Sequence, residues 1–409
     1  MSNLKKKLRS KEEEETSCPL WSLPYDVTLL CLARVRRCDH PALSLLSKSF
    51  RSLVASPELH KIRSKMGITD TEVYVCLRTP PDPNPGWYIL RRSSTLIPVA
   101  SFPSQHLESS AVALGSAIYV IGGMLKGIPT SDVLRLDCRT HTWRRVPSMG
   151  VARASAAAAV VDGKIYVVGG FDVYDDSLSW GEVFDPKTQA WESLPWPRAR
   201  HGYLHDCVVR DGKIYAVTGL ERTQYYSPRE GIWGEGSRGV LMGGSRRDWC
   251  MIGNLMFSIN KHGRIFWCEQ EELDWRQPEG GIMDWWNEVK GLEALTGNLS
   301  RSRLVHFGLD IVNWYHQFKH QFSQDQDLAA LLPGARLCTS AGNLLLFWDE
   351  MVLGNIQKIW CAEISLERRP QGEIWGNIEW SRAVMTVADD DPFARPGRCK
   401  VLHSVSVTL

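Results

Sequence analysis

Ile118–Gly123 reads IYVIGG; the phrase returns as IYVVGG at Ile165–Gly170 and, in worn form, as IYAVTG at Ile214–Gly219. The three starts lie 47 and 49 positions apart. Self-similarity at a step of roughly 50 residues marks a repeat architecture. The phrase is β-branched, aromatic and apolar, which suits a buried strand, and it ends on glycines that stop one. A unit of this length made of strands and turns predicts one blade of a β-propeller, hence a mainly β chain.

The second repeat supplies the template. Ala154–Asp162 is rich in small residues and predicts an inner strand near a crowded axis. Gly163–Gly170 is the second strand, and Gly169 and Gly170 permit positive φ and close approach of a neighbouring backbone. Trp180–Asp185 is the third strand, Pro186–Gln189 a turn and Ala190–Leu194 the outer strand, anchored by Trp191 and stopped by Pro195 and Pro197. The first repeat follows the same plan through Ser110–Leu114, Ile118–Gly123 with its pair Gly122 and Gly123, Val133–Asp137 and Thr142–Val146. Trp143 and Trp191 lie 48 positions apart, in step with the glycine pairs. A large ring recurring on the outer strand fills the wedge between adjacent blades.

The third repeat is degraded, with Thr218 replacing the first glycine and Trp233 in the anchor position. A fourth starts at Asp248, continues through Gly263–Gln270 and is given an outer strand at Asp274–Trp275. A fifth runs from Arg336 through Lys358–Leu366 to Glu373–Trp380. Ahead of the first full repeat stand three strands without an inner partner, at Glu72–Leu77, Gly86–Leu90 and Leu96–Phe102. The chain ends on an orphan strand, Lys400–Leu409. Joining the ends removes unpaired sheet edges and predicts six blades, with Val401–Val407 as the inner strand of the blade begun at Glu72. The expected spans are 72–104 closed by 400–409, then 109–150, 153–199, 201–240, 247–295 and 336–388, with a long insertion at 298–335.

Composition narrows the partners. The chain has 409 residues, 44% of them apolar, with 17 tryptophans and a net charge of +2. Mixed charges argue against nucleic acid or a membrane surface as the partner. The 11 cysteines form no CxxC pair, and Met1–Ser17 carries KKK and EEEE instead of an apolar leader. Reduced thiols in a cytoplasmic or nuclear protein are expected, with residues 1–18 as a solvated, disordered tail. No apolar run is long enough to span a membrane.

Residues 19–67 have a helical period. Asp39 stands two positions before Pro41 as an expected N-cap. Leu43, Leu46, Phe50 and Leu53 follow at steps of three, four and three, which predicts one helix face. Ser56-Pro57-Glu58 opens a last short helix. So small a helical module is marginal alone and is expected to cover apolar surface with a partner.

LPYDVTLLCLARV at Leu23–Val35 with HPALSLLSKSFRSLVASPEL at His40–Leu59 resembles an F-box. With the repeats behind it, the chain is similar to the plant F-box/kelch-repeat family. IWCAEISLERR at Ile359–Arg369, GEIWG at Gly372–Gly376 and Trp380 are similar to that family's last blade. The resemblance implies a six-bladed kelch-type propeller and a non-catalytic substrate receptor of an SCF-type cullin–RING ubiquitin ligase. It implies docking on a Skp-family adaptor through Leu23, Pro24, Val27, Leu30, Leu46 and Phe50, while Leu43 and Leu53 read as the module's own core. The cullin and RING subunits are reached through that adaptor, and the propeller holds an unknown target protein. Relatives that degrade enzymes of secondary metabolism suggest one class of target. Ser49 stands where the family often has a basic residue, and the insertion at 298–335 has no counterpart in the family pattern or reflects an unusual splice product or gene boundary.

The alternative is a propeller enzyme or small-molecule receptor with a site at the mouth of the central channel. Nucleophile-elbow, P-loop, HExxH and dinucleotide motifs are missing from the sequence, as is the ExxxDxxxH pattern of iron-using kelch proteins. His316 and His320 would share a helix face but lack a third ligand, and Asp389-Asp390-Asp391 reads as a solvated turn. No catalytic residue, metal or cofactor is expected. Arg198, Arg200 and His201, between two blades, are expected to bond carbonyls in the connection instead of touching a target.

Overall fold

The computed structural model describes residues 23–68, 70–79, 85–91, 95–99, 108–170, 180–196, 204–218, 222–238, 249–259, 263–269, 287–303, 336–352, 356–388 and 399–409. The tail 1–18 and residues Arg198, Arg200, His201, Asp274, Trp275, His316, His320 and Asp389–Asp391 lie outside them. The chain divides into two compact units: Met1–Glu72 with Cys138–Thr140 and Thr408–Leu409, and Val73–Asp137 with His141–Val407.

The larger unit is a ring of six four-stranded antiparallel sheets. Blades one to three run from Ser110–Leu114 to Thr142–Val146, from Ala157–Val161 to Ala190–Ser193 and from Leu204–Arg210 to Ile232–Arg238. Blades four and five begin at Trp249–Ile252 and Arg336–Ser340. In the sixth, the carboxy-terminal strand Lys400–Thr408 lies beside Thr71–Arg78 and supplies the inner place. Asp70 and Leu409 extend this ladder, each donating its N–H to the other's carbonyl at 3.0 and 2.9 Å.

Alternating side chains explain why the repeated phrase is apolar throughout. Successive residues of a strand point to opposite faces of the sheet. In blade two, Ile165 and Val167 pack with Tyr119 and Ile121 of blade one, whereas Tyr166 and Val168 pack with Ile214 and Tyr226 of blade three. In blade five, Leu344 and Leu346 face Phe257 and Trp267 of blade four, and Leu345 and Phe347 face Val73 and Val75 of blade six. In these two blades the second strand is buried on both sides, so no polar alternation survives.

The glycine pairs act where blades approach. Gly122 has φ 60°, and a Cβ there would stand 2.3 Å from the Arg153 carbonyl oxygen. At Gly170, φ 77°, a Cβ would lie 2.6 Å from the Ala156 nitrogen. Both positions therefore exclude a side chain on conformation and on space.

The fourth strand of blade four is Asn287–Glu288, paired with Trp267 and Phe266; Asp274–Trp275, expected in that place, lies outside the described residues. One boundary needs correction. The boundary set between residues 295 and 298 falls inside an α-helix, Glu293–Arg303. Leu292, Leu295 and Leu299, at steps of three and four, bury into the core shared by blades four and five, and this tertiary contact supports the helix despite Gly297.

In the smaller unit, helices span Tyr25–Ala33, His40–Leu46, Lys48–Val54 and Pro57–Lys65. Leu29, Leu32, Ala33, Phe50, Leu53 and Leu59 form its core. Ser56 caps the last helix by accepting the Leu59 N–H at 3.2 Å. Asp39 occupies the N-cap place without capping: its backbone is helical, φ −95° and ψ −11°, where a capping residue is extended. The single helix face expected from Leu43 to Leu53 is broken at Ser47, whose extended backbone, φ −158° and ψ 165°, ends one helix. Its hydroxyl then accepts the Phe50 N–H at 3.2 Å and starts the next.

Candidate functional site

The first helix of the small unit is apolar on two sides. Thr28, Leu29, Leu32 and Ala33 face inward. Leu23, Val27 and Leu30 remain 40%, 39% and 40% exposed, and Pro24 is exposed at the N-cap, its carbonyl accepting the Thr28 N–H at 3.0 Å. The second helix leaves Leu46 exposed at 68%. These five residues lie on the outside of the unit, while its core is filled by others.

Phe50 does not join them. It is 3% exposed among Leu29, Leu32 and Leu59, so its role as a docking residue is corrected to a core role. The break at Ser47 is the cause: a spacing of four no longer means a shared face when a cap lies between the residues. Leu53 is buried and Leu43 packs partly against the same core. Sequence reasoning missed two exposed apolar residues, Tyr25 and Leu45, at 56% and 79%. Tyr25 adjoins the Leu-Pro corner, and that adjacency was its available signal.

Polar ties hold the unit together. Arg63, 3% exposed, donates from Nη1 to the Ala33 and Val35 carbonyls at 2.6 Å each, and from Nη2 to Asp70 at 2.7 Å. Asp70 also accepts the Arg37 N–H at 3.0 Å. Among these cations, burial, followed by Arg37, pushes the His60 imidazole down to about 4. Burial, followed by Arg63, lowers His40 as well.

In the ring, the recurring tryptophans lie at blade joints. Trp191 packs on Phe184 at 5.0 Å and donates its indole N–H to the Pro147 carbonyl of blade one at 2.7 Å. Trp233 repeats this bond to the Pro195 carbonyl of blade two at 2.6 Å. Trp143 lies 6.1 Å from Trp87 of blade six. Arg153, in the connection from blade one to blade two, is fully buried. Its guanidinium donates to Glu182 at 3.1 Å and to the Gly169 and Trp180 carbonyls at 2.8 and 3.3 Å. Glu182 also accepts the Gly150 N–H at 2.6 Å. Burial lowers the Arg153 pKa, and the charge and hydrogen bonds of Glu182 oppose that shift. Arg153 stands one repeat before Arg200, and the carbonyls it bonds flank the second and third strands of blade two.

Among the described residues, no cluster of three or more His, Cys, Asp or Glu could hold a metal ion. Nor is any described helix long and apolar enough to cross a membrane. Burial raises the Cys250, Cys338 and Cys361 thiols, which makes them poor nucleophiles.

A helical module with apolar side chains on its outside, followed by a closed propeller, defines a two-part binding protein. An F-box model matches residues 20–62, and a kelch-repeats domain model, described as "FKB95, Kelch-repeats domain", matches 77–385. A putative F-box/kelch-repeat protein of Arabidopsis thaliana is 39% identical over 391 residues, covering 93% of this chain and 91% of the relative. A second from the same plant is 34% identical over 446 residues and covers 100% of both chains. The chain belongs to the F-box/kelch-repeat family. An F-box joined to kelch repeats implies a substrate-adaptor role in an SCF-type complex, and the F-box implies binding to a Skp-family adaptor.

Proposed function

We propose that this protein is the target-recognition subunit of an SCF-type ubiquitin ligase. In this reading Leu23, Pro24, Val27, Leu30 and Leu46 dock on a Skp-family adaptor, with Tyr25 and Leu45 enlarging the contact. The cullin and RING subunits supply the chemistry, the propeller holds the target protein, and this chain contributes proximity and orientation. The complex acts in the cytoplasm or nucleus. One observation carries the reading: the module fills its own core and still exposes Leu23, Tyr25, Val27, Leu30, Leu45 and Leu46. Exposed apolar side chains on a small rigid element, with a proline at the corner, suit a binding hot spot with a low ordering cost.

The test is capture of the purified adaptor by the full chain, comparing wild type with Leu23→Ala/Pro24→Ala and Leu30→Asp. Wild type binds, both variants lose at least about tenfold in affinity, and thermal stability is retained. Absence of wild-type binding overturns the reading.

A further inference from the structure

The connection between the second and third strands of blade one carries a hairpin of its own. Met124–Leu125 pairs with Ile128–Pro129, and Lys126 and Gly127 form the turn at φ 53° and 79°. Its base is fastened to the next connection. Gly123 donates its N–H to the Arg153 carbonyl at 2.7 Å, Arg153 donates to Thr130 at 3.1 Å, and Thr130 donates to Gly123 at 2.9 Å. The buried Arg153–Glu182 pair holds that connection from beneath. Lys126, Gly127, Ile128 and Pro129 are exposed, Ile128 by 68%.

An isolated exposed aliphatic residue is ordinary on a protein surface. Ile128 differs in being carried on a tight turn stapled to buried structure. The segment Gly122–Thr130, GGMLKGIPT, has a lysine and no carboxylate, so its tip is positive as well as apolar. Antiparallel strands send second-to-third and fourth-to-first connections out of one face of the ring. Trp196, 42% exposed in the connection after blade two, is therefore on the same face as the hairpin.

Resting on the adaptor reading above, we propose that the Met124–Pro129 hairpin is a primary contact for the target protein. Ile128 enters an apolar pocket on the target, and Lys126 pairs with carboxylates at the pocket's rim. A tip already held rigid loses little entropy on seating, and the lysine selects an acidic rim over a basic one.

The experiment assembles the full chain with a Skp-family adaptor, cullin and RING subunits and supplies an Arabidopsis protein extract. Ubiquitinated proteins are quantified for wild type, Leu30→Asp, Ile128→Asp, Lys126→Glu and Ile232→Asp. Ile232 is 56% exposed at the start of an outer strand, on the opposite rim. Proteins lost with Leu30→Asp define the targets. Their modification is expected to fall about tenfold or more with Ile128→Asp, severalfold with Lys126→Glu and not at all with Ile232→Asp. Targets modified normally by Ile128→Asp overturn the hairpin's role and leave the adaptor reading intact. Equal loss with Ile128→Asp and Ile232→Asp also overturns it. An assembly in which wild type modifies nothing overturns the adaptor reading and the hairpin's role with it.

Discussion

Leu46 and Phe50 stand four positions apart and differ in exposure by 68% against 3%. Trp191 and Trp233 stand 42 positions apart and make the same bond to a proline carbonyl of the preceding blade. The helical module and the ring thus obey different rules of inference. In the ring, a residue's role follows from its place in the repeat, because each blade meets the same kind of neighbour. In the module, its role follows from where each short helix stops, and one serine hydroxyl decides that.

The ring's dependence on its joints gives the largest expected effect. Arg153→Met leaves Glu182 buried without its cation and the Gly169 carbonyl without its Arg153 donor, and is expected to cost on the order of 3–5 kcal/mol. Chemical denaturation checks it; a loss below about 1 kcal/mol would show that the joint is not held by this pair. Next comes the contrast within the module. Phe50→Ala is expected to destabilise by about 3 kcal/mol through a core cavity, whereas Leu46→Ala stays within about 0.5 kcal/mol and weakens adaptor capture instead. If the two effects were reversed, the break at Ser47 would be misplaced.

Smaller effects sharpen the same comparison. Ser47→Ala is expected to cost about 1 kcal/mol through loss of the cap on Phe50. Trp191→Phe keeps the ring packing but loses the bond to Pro147, again about 1 kcal/mol, and Trp233→Phe is expected to match it if the joints are equivalent. The smallest effect is acid sensitivity of the module. The His60 pKa, about 4, lies below its unfolded value of 6.5. The unfolded state therefore binds more protons between these values, and stability is full above about 6.5 and falls as the pH drops towards 4. His60 is partly exposed, so screening limits the loss to about 1 kcal/mol. His60→Gln is expected to flatten the pH dependence of unfolding over that range.

The six-sheet ring was legible because a strand buried on both sides leaves an apolar phrase that recurs wherever a blade recurs. Even the closing strand could be read from Lys400–Leu409, an inner strand lacking a sheet. The helix at Glu293–Arg303 was not legible. It contains Gly297 and a polar majority, and its leucines become informative only when blades four and five stand beside them. The exposed apolar face of the module was half legible. The F-box resemblance picked out Leu23, Pro24, Val27, Leu30 and Leu46, which are exposed, but it also picked out Phe50, which is buried, and passed over Leu45.

From the residue order alone came the number of blades, the glycine positions where backbones meet and the presence of a helical module ahead of them. These are local or periodic properties, written in each repeat by side-chain type. Which apolar residues face outward, and that the Met124–Pro129 hairpin is stapled to a buried ion pair, emerged only from the folded chain. Burial and buried charge pairing depend on residues distant in sequence, and no local pattern contains them.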